Sequence, residues 1–478
     1  MAAATGWLTA ARSPLLAATV VLGTLAGLLA LRRHEVVLYG LLAVIALLPF
    51  AVVPVRLGAA PTLLDLATMA VFLLWMARAA TGRCGADLTP AGVALILFAG
   101  TMVAAYVVAA ESLRLDETAR LFAKLVAAHL LFIPVVNLVH PVGPLRASSL
   151  PPAGPGWPAA TISPLLPVAP AVDGTAPGRL VTWLMAVAAL EATMGIALYA
   201  APRDLAYRLL SSLGAIGYPT GEGVLRYRPD TDILRATGTS VDPNMLGALL
   251  MVACALAVAQ LLAARPVVPR PVAAGLLAPM AWCLLLTESR GAWLGLAAGV
   301  LLLGALKYRR VWAALALAPA LALVMPQGER FTGHLLSGLR AQDRAAAMRL
   351  GELQNAFQII SRYPWFGVGW GAEGSSIELE YTLGVSNIYL TVAERSGLIA
   401  LAVYLGALGT LAYVLWPAVR AQRRAPEDDG VLLGLVAALA AALVAGMLDH
   451  HFVRFPHLVS LLWITAALAV RTAFSGRE

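Results

Sequence analysis

Hydrophobic residues along this chain do not alternate with polar ones. They come in long blocks, and the polar residues fall between the blocks. A helix needs about twenty mostly apolar residues to cross a bilayer, and thirteen runs approach that length. They centre on residues 15–31, 36–53, 63–77, 91–110, 121–139, 180–200, 241–262, 272–286, 292–306, 312–325, 388–416, 431–448 and 458–473. Several are short, so the pattern predicts an all-α polytopic membrane protein with about 12–13 transmembrane helices. The first run follows Arg12, as a signal peptide would. Arg32-Arg33 closes it where a small-residue cleavage site would stand, so it reads as a retained span.

Two long stretches interrupt the blocks. Residues 140–178 hold ten prolines and almost no charge, which predicts an extended linker rather than a helix or a core. Residues 327–386 carry Arg330, Arg340, Arg344, Arg349 and Arg362, followed by Gly367-Val368-Gly369-Trp370-Gly371. The chain thus divides into N-terminal spans (1–139), the linker (140–178), central spans (179–326), a polar loop (327–386) and C-terminal spans (387–478). About sixty non-membrane residues kept between two spans usually carry function.

Composition agrees with the blocks. The chain is 60% hydrophobic and 13% charged, with a mean hydropathy of +0.80, which a bilayer accommodates and a soluble 478-residue protein does not. Its formal charge is 34 − 26 = +8, nearly all the cations being arginine. In a membrane protein this points to lipid headgroups and to an anionic substrate, and not to nucleic acid. Cys84, Cys254 and Cys283 are scattered and form neither a disulfide framework nor a metal motif.

The short basic loops (Arg32-Arg33, Arg78/Arg83, Arg265/Arg270, Lys307/Arg309/Arg310, Arg420/Arg423/Arg424) and the tail with Arg471 and Arg477 fall on one side. By the positive-inside rule that side is cytoplasmic. The arginine loop is then one long, outward-facing helical loop, and residues 201–240 and 449–456 lie on its side.

Four outward stretches carry candidate chemistry. Arg235 precedes Asp242-Pro243-Asn244, which suits a helix N-cap, either as a cap alone or as an anion site at the helix start. Glu288-Ser289-Arg290 sits where two apolar runs meet with almost no loop, so Arg290 either snorkels or lines a cavity; its flanking glycine and glutamate favour the cavity. In the loop, Met348, Leu353, Phe357 and Ile360 recur at helical spacing, which predicts an amphipathic helix on the membrane surface. Arg340 and Arg344 fit its solvated face, whereas Arg349 is the better anion ligand. The glycine turn follows no strand and is no dinucleotide fingerprint; its glycines permit close backbone approach. Finally, Asp449, His450, His451 and Arg454 suit proton transfer or anion binding. Adjacent histidines on a helix would point apart, a poor metal pair.

Taken together these residues resemble a family. Gly238-Thr239-Ser240-Val241-Asp242-Pro243-Asn244-Met245-Leu246-Gly247 looks like a segment of the O-antigen ligases and polymerases, and Ser289-Arg290-Gly291-Ala292-Trp293 is similar to another. Arg349 with Pro364-Trp365-Phe366-Gly367 to Gly371 resembles their loop. Asn387-Ile388-Tyr389-Leu390 with Glu394-Arg395-Ser396-Gly397-Leu398 resembles the segment that follows it. The resemblance implies a glycosyltransferase in the bacterial inner membrane. It would take a glycan from an undecaprenyl-diphosphate-linked donor at the periplasmic face and pass it to a glycan, lipid A core or protein acceptor. Arg290 and Arg349, with Arg235, would bind the diphosphate. Arginine forks match phosphate oxygens without a divalent metal, and no cofactor is called for. The family's loop ends in His-Asn, the histidine acting as base; here the pair is Ser386-Asn387, and serine is no base near neutral pH. Glu380, His450 and His451 are the substitutes the sequence offers, Glu380 being nearest in the chain. The alternative, a transporter or flippase of polyprenyl-linked sugars, would show internal repeats and mid-membrane charges.

Overall fold

A computed structural model describes residues 35–53, 60–109, 115–139, 176–221, 223–228, 231–313, 333, 344–370 and 384–475. The apolar runs at 15–31 and 312–325, most of the proline-rich stretch, Arg330, Arg340 and Glu380 lie outside the described residues. In chain order the helices are α1 (Glu35–Leu47), α2 (Leu63–Ala80), α3 (Pro90–Val108), α4 (Leu115–Leu130), α5 (Phe132–Val139), α6 (Ala176–Ala200), α7 (Arg203–Ser212), α8 (Pro243–Leu262), α9 (Arg270–Leu286), α10 (Arg290–Leu306), α11 (Arg344–Arg362), α12 (Ile388–Arg424), α13 (Val431–Ala445), α14 (His451–Arg454) and α15 (Pro456–Ser475). The two-residue strands β1 (Arg226–Tyr227) and β2 (Leu234–Arg235) pair antiparallel before α8.

Seven helices among the described residues are long and apolar enough to cross a membrane, and α1, α9, α10 and α13 are shorter apolar helices. Eleven of the thirteen apolar runs are thus seen as helix. The chain is a multi-pass membrane protein. The run at 121–139 is one span broken at Leu131 into α4 and α5, because Pro134 has no N–H to return to Leu130. Helix α6 starts at Ala176, three residues inside the stretch expected to be linker. Local caps fix several starts. Thr62 and Asp65 form a reciprocal capping box on α2, and Thr89 caps α3 ahead of Pro90 at its first position.

Helix α8 lies at the centre, buried along nearly its whole length and packed by α6, α9, α10 and α13. Helices α2 and α3 lie outside it and expose Met69, Leu73, Met76, Leu97 and Val107. Such a surface is at home against lipid tails, where apolar exposure has no cost.

The tightest seam joins α10 to α13. Gly291, Gly295 and Gly299 recur every fourth residue on α10 and face Ala437, Ala441 and Ala445. A Cβ added at Gly295 would lie 2.6 Å from the Ala441 carbonyl oxygen, and one at Gly299 2.7 Å from that of Ala437. Small residues allow this approach, which in lipid must rest on van der Waals packing. The seam sets the height of Arg290, one residue before Gly291. At the far end of the bundle Asp428 accepts from Lys307 Nζ at 3.0 Å and from the Tyr308 hydroxyl, tying α10 to the turn before α13. Arg265, Lys307 and Arg424 gather at that end, away from Arg290.

Candidate functional site

Two helix starts meet at one end of the bundle. At α8, the Asp242 carboxylate accepts the N–H groups of Asn244 (2.8 Å) and Met245 (3.4 Å), so its own side chain closes the helix. At α10, the cap position is Ser289, whose side chain makes no cap hydrogen bond, and the first residue is Arg290. A cation at a helix N-terminus opposes the helix dipole. Without a cap from Ser289, and with a guanidinium beside it, the start of α10 favours an anion. Both starts follow a non-glycine residue in the left-handed region, Val241 at φ 65° and Glu288 at φ 50°. For a β-branched valine this is a costly conformation, of the kind held in place at functional sites. The starts touch: a Cβ at Gly247 would lie 2.9 Å from Ser289 Cβ.

Arg235, at the end of β2, bridges them. Its Nε donates to the Thr287 carbonyl at 2.7 Å and its Nη2 to Asn244 Oδ1 at 2.6 Å. Burial pulls its pKa below the ordinary value despite Asp242, Glu288 and Asp449, and Arg290 nearby pushes the same way. Arginine keeps its proton all the same. The Glu288 carboxylate has no exposed surface and lies 3.8 Å from Arg228 Nη1.

Beneath them is the turn from α13 to α14. His450 precedes α14, so the two histidine rings stack at 5.3 Å and 12° instead of pointing apart as two helical neighbours would. Asp449 holds His451 Nδ1, and His451 Nε2 lies 3.9 Å from Asp242 Oδ1. Burial opposes ionisation of Asp449, but His451 and His450 outweigh it and hold the carboxyl at about 2. Burial also opposes charge on His451, yet Asp449 raises its pKa above the ordinary value. His450 lacks so close a counter-charge, and burial drives it down to about 4. One histidine is poised to carry a proton and its neighbour is neutral.

Helix α12 supplies another wall through a break. Gly397 sits at φ 82°, ψ 175°, and the helix kinks there. The carbonyls left over are taken by the glycine turn: Val368 N–H donates to Glu394 O and Gly369 N–H to Arg395 O, both at 3.0 Å. Leu398 N–H returns a bond to Pro364 O at 2.7 Å. A Cβ at Gly367 would collide with the Glu394 carbonyl and one at Gly397 with that of Trp365. The close approach expected of these glycines is therefore to the chain's own backbone. Its effect is to end the first segment of α12 just after Glu394 and Arg395, whose side chains are buried and lie 3.4 Å apart.

The turn at 384–386 closes the site. A Cβ at Gly384 would lie 3.1 Å from Arg454 Nη1 and 3.4 Å from Arg395 Nη2. Burial lowers the pKa of Arg454 as it does that of Arg235. Ser386 N–H donates to Glu352 Oε2 at 2.9 Å, and Glu352 stands on α11 one turn after Arg349, on the same face. Asn387 caps α12 through Tyr389 and Leu390 N–H, and its Nδ2 donates to Met447 O. Arg235, Asp242, Asn244, Arg290, Asp449, His450 and His451 thus form one group. Arg395 links it electrostatically to the Gly384–Ser386 turn, Arg454 and Glu352. Arg349 is half-buried on α11, one turn before Glu352.

Residues 275–413 match the O-antigen ligase family. The match begins within α9, takes in the α10 start, α11 and the α12 kink, and supports assignment of the chain to the O-antigen ligase/polymerase family. It covers under a third of the chain and leaves out Arg235, Asp242 and the Asp449–Arg454 segment. No curated protein matches the chain. Among the described residues no group of three or more histidine, cysteine, aspartate or glutamate side chains could hold a metal ion. Glu352, Glu394 and Arg395 carry no role in the reading of the sequence. The first stands one turn from Arg349, and the others lie inside the motif at 394–398, so both signals were present but carried no geometry.

Proposed function

We propose that this O-antigen ligase-type glycosyltransferase takes a glycan from an undecaprenyl-diphosphate-linked donor and passes it to a hydroxyl of a glycan, lipid A core or protein acceptor at the periplasmic face. The observation that carries this reading is the open start of α10. Arg290 stands there beside Arg235, which is hydrogen-bonded to both helix starts through Thr287 and Asn244. A diphosphate would set its negative charge against these arginines, and more of it as the glycosyl bond breaks. Fixed donors aimed at charge that develops in the transition state are the largest single source of rate in many enzymes.

In this reading Arg290 and Arg235 receive the diphosphate, Arg349 approaches from α11, and Arg454 with Arg395 lines the opposite wall. Guanidinium forks bind two phosphate oxygens at once, which a lysine cannot do. The Asp449–His451 pair orients Asp242 and sets the field around Arg235. His450, neutral and stacked on His451, keeps additional positive charge out of that pair's neighbourhood. Membrane lipids surround the bundle, and the donor's lipid tail would lie among them.

Arg290→Ala and Arg349→Ala test this. Each is expected to reduce transfer of the lipid-linked glycan by about 10²–10³-fold, the usual loss for a missing charge-stabilising donor. Folded yield should be unchanged, and lysine should restore only part. Wild-type transfer by the double alanine variant, measured in membranes charged with the native lipid-linked glycan, would refute the reading.

A further inference from the structure

Transfer of a glycosyl group to a hydroxyl releases a proton, and a group placed near the acceptor oxygen must take it. The site contains several carboxylates and imidazoles, and most are already engaged. Asp242 receives two backbone N–H groups and faces His451; Asp449 holds His451 and the His450 N–H. The Glu288 carboxylate is fully enclosed and faces Arg228. Glu394 is enclosed beside Arg395 and receives the Val385 N–H. His451 is bound at Nδ1, and His450 packs against both His451 and Phe455, its Nδ1 enclosed 4.0 Å from Asp449 Oδ1.

Glu352 stands elsewhere, at the Ser386 turn. It is half-buried on α11, and one of its oxygens receives the Ser386 N–H at 2.9 Å. An ionised carboxylate has about four lone-pair positions, so this bond leaves room for a hydroxyl. The turn it grips is the one flanked by Arg395 and Arg454. Arg349 stands one turn before Glu352 on α11, and Arg395 on α12 and Arg454 on α14 stand at Gly384, two residues before Ser386. The second carboxylate, Glu394, lies close enough to interact with Glu352 electrostatically.

We infer that Glu352, held against the turn that Arg395 and Arg454 flank, is the catalytic base that takes the proton from the acceptor hydroxyl. The inference rests on the transfer reading given above. In the step, the acceptor O–H proton passes to the Glu352 carboxylate while the acceptor oxygen bonds to the anomeric carbon of the donor glycan. The bond from that carbon to the diphosphate oxygen breaks, and its electron pair stays on the diphosphate beside the arginines. The proton then leaves Glu352 for solvent. Serine at position 386 is no obstacle, since its contribution is a backbone N–H that orients the base.

Glu352→Gln separates a base from a latch. Glutamine can still accept the Ser386 N–H through its side-chain oxygen but cannot take up a proton near neutral pH. With the full-length protein in membranes carrying the native lipid-linked glycan, Glu352→Gln is expected to slow transfer by about 10²–10⁴-fold, the range general bases supply. Thermal stability and binding of the lipid-linked donor should stay at wild-type levels. Wild-type transfer by Glu352→Gln alongside loss in Glu352→Ala would make the residue a latch and overturn the inference. If the wild type consumes no lipid-linked glycan, the transfer reading itself fails. If Arg290→Ala is dead and Glu352→Gln is not, only the base assignment does.

Discussion

The starts of α8 and α10 lie in van der Waals contact, follow residues of similar left-handed backbone, and are finished in opposite ways. At α8 the sequence supplies an anion, Asp242, and the helix is closed by its own side chain. At α10 it supplies a cation, Arg290, and a serine that caps nothing. Capping stabilises a helix by about 1 kcal/mol, so α10 forgoes that contribution and must be held by something else. The glycine–alanine seam along α13 does this, fixing the helix by packing rather than by its end. A helix anchored along its length can leave its first turn open for a substrate, whereas a helix that depends on its cap cannot.

The largest effect should follow from breaking that anchor. Gly295→Val places side-chain atoms against the Ala441 carbonyl and Met251, with no flexible neighbour on the backbone side. Overpacking of this kind costs roughly 1–3 kcal/mol, and here it also shifts Arg290. Thermal unfolding in detergent, followed by the fluorescence of Trp293 on α10, should move to markedly lower temperature, with transfer lost. A variant that unfolds like the wild type would show that the seam does not hold α10.

The closed start should respond more mildly. Asp242→Ala removes the cap and is expected to cost about 1 kcal/mol, whereas Asp242→Asn keeps an acceptor for the Asn244 and Met245 N–H groups and should cost less than half as much. Equal losses for both would mean that the charge facing His451 and Arg235 matters more than the cap. The same measurement on Ser289→Ala should show almost no change in stability, since that side chain makes no cap bond. This contrast between the two starts is the most direct check on the comparison.

Much of this was legible in the sequence, and the limits have physical causes. Apolar blocks reveal spans because a bilayer imposes one length and one composition on every crossing. Asp242-Pro243-Asn244 reveals a cap because capping is local. Arg290 stood out because a charge between two abutting apolar runs has few places to go. The meeting of Arg235 with Thr287, fifty-two residues on, has no local signature, nor has the bond from Ser386 to Glu352. Gly397 shows the same limit. Its kink depends on Gly367 and Pro364 as partners, so either segment alone reads as ordinary helix or ordinary turn. Histidine orientation failed for a local reason: His450 lies outside α14, and a helical rule does not apply to it.

The α8 start also answers to pH, because it faces Asp449, His450 and His451. Burial holds His450 at about 4, below the ordinary histidine value, so the unfolded chain binds that proton more readily. Its contribution to stability is therefore lost as pH falls from the ordinary value toward about 4. Each pH unit inside that window costs at most about 1.4 kcal/mol per proton. His451 works the other way. Its raised folded-state pKa means that its contribution is complete below the ordinary histidine value and disappears as pH rises through the raised one. Asp449, held at about 2, adds stability above the ordinary carboxylate value and surrenders it only as pH falls toward about 2. Stability should therefore peak near neutral pH. His450→Gln should flatten the mildly acid side alone and His451→Gln the alkaline side alone. Thermal unfolding of the three proteins across pH measures this directly, and matched curves for wild type and His450→Gln would remove His450 from the account.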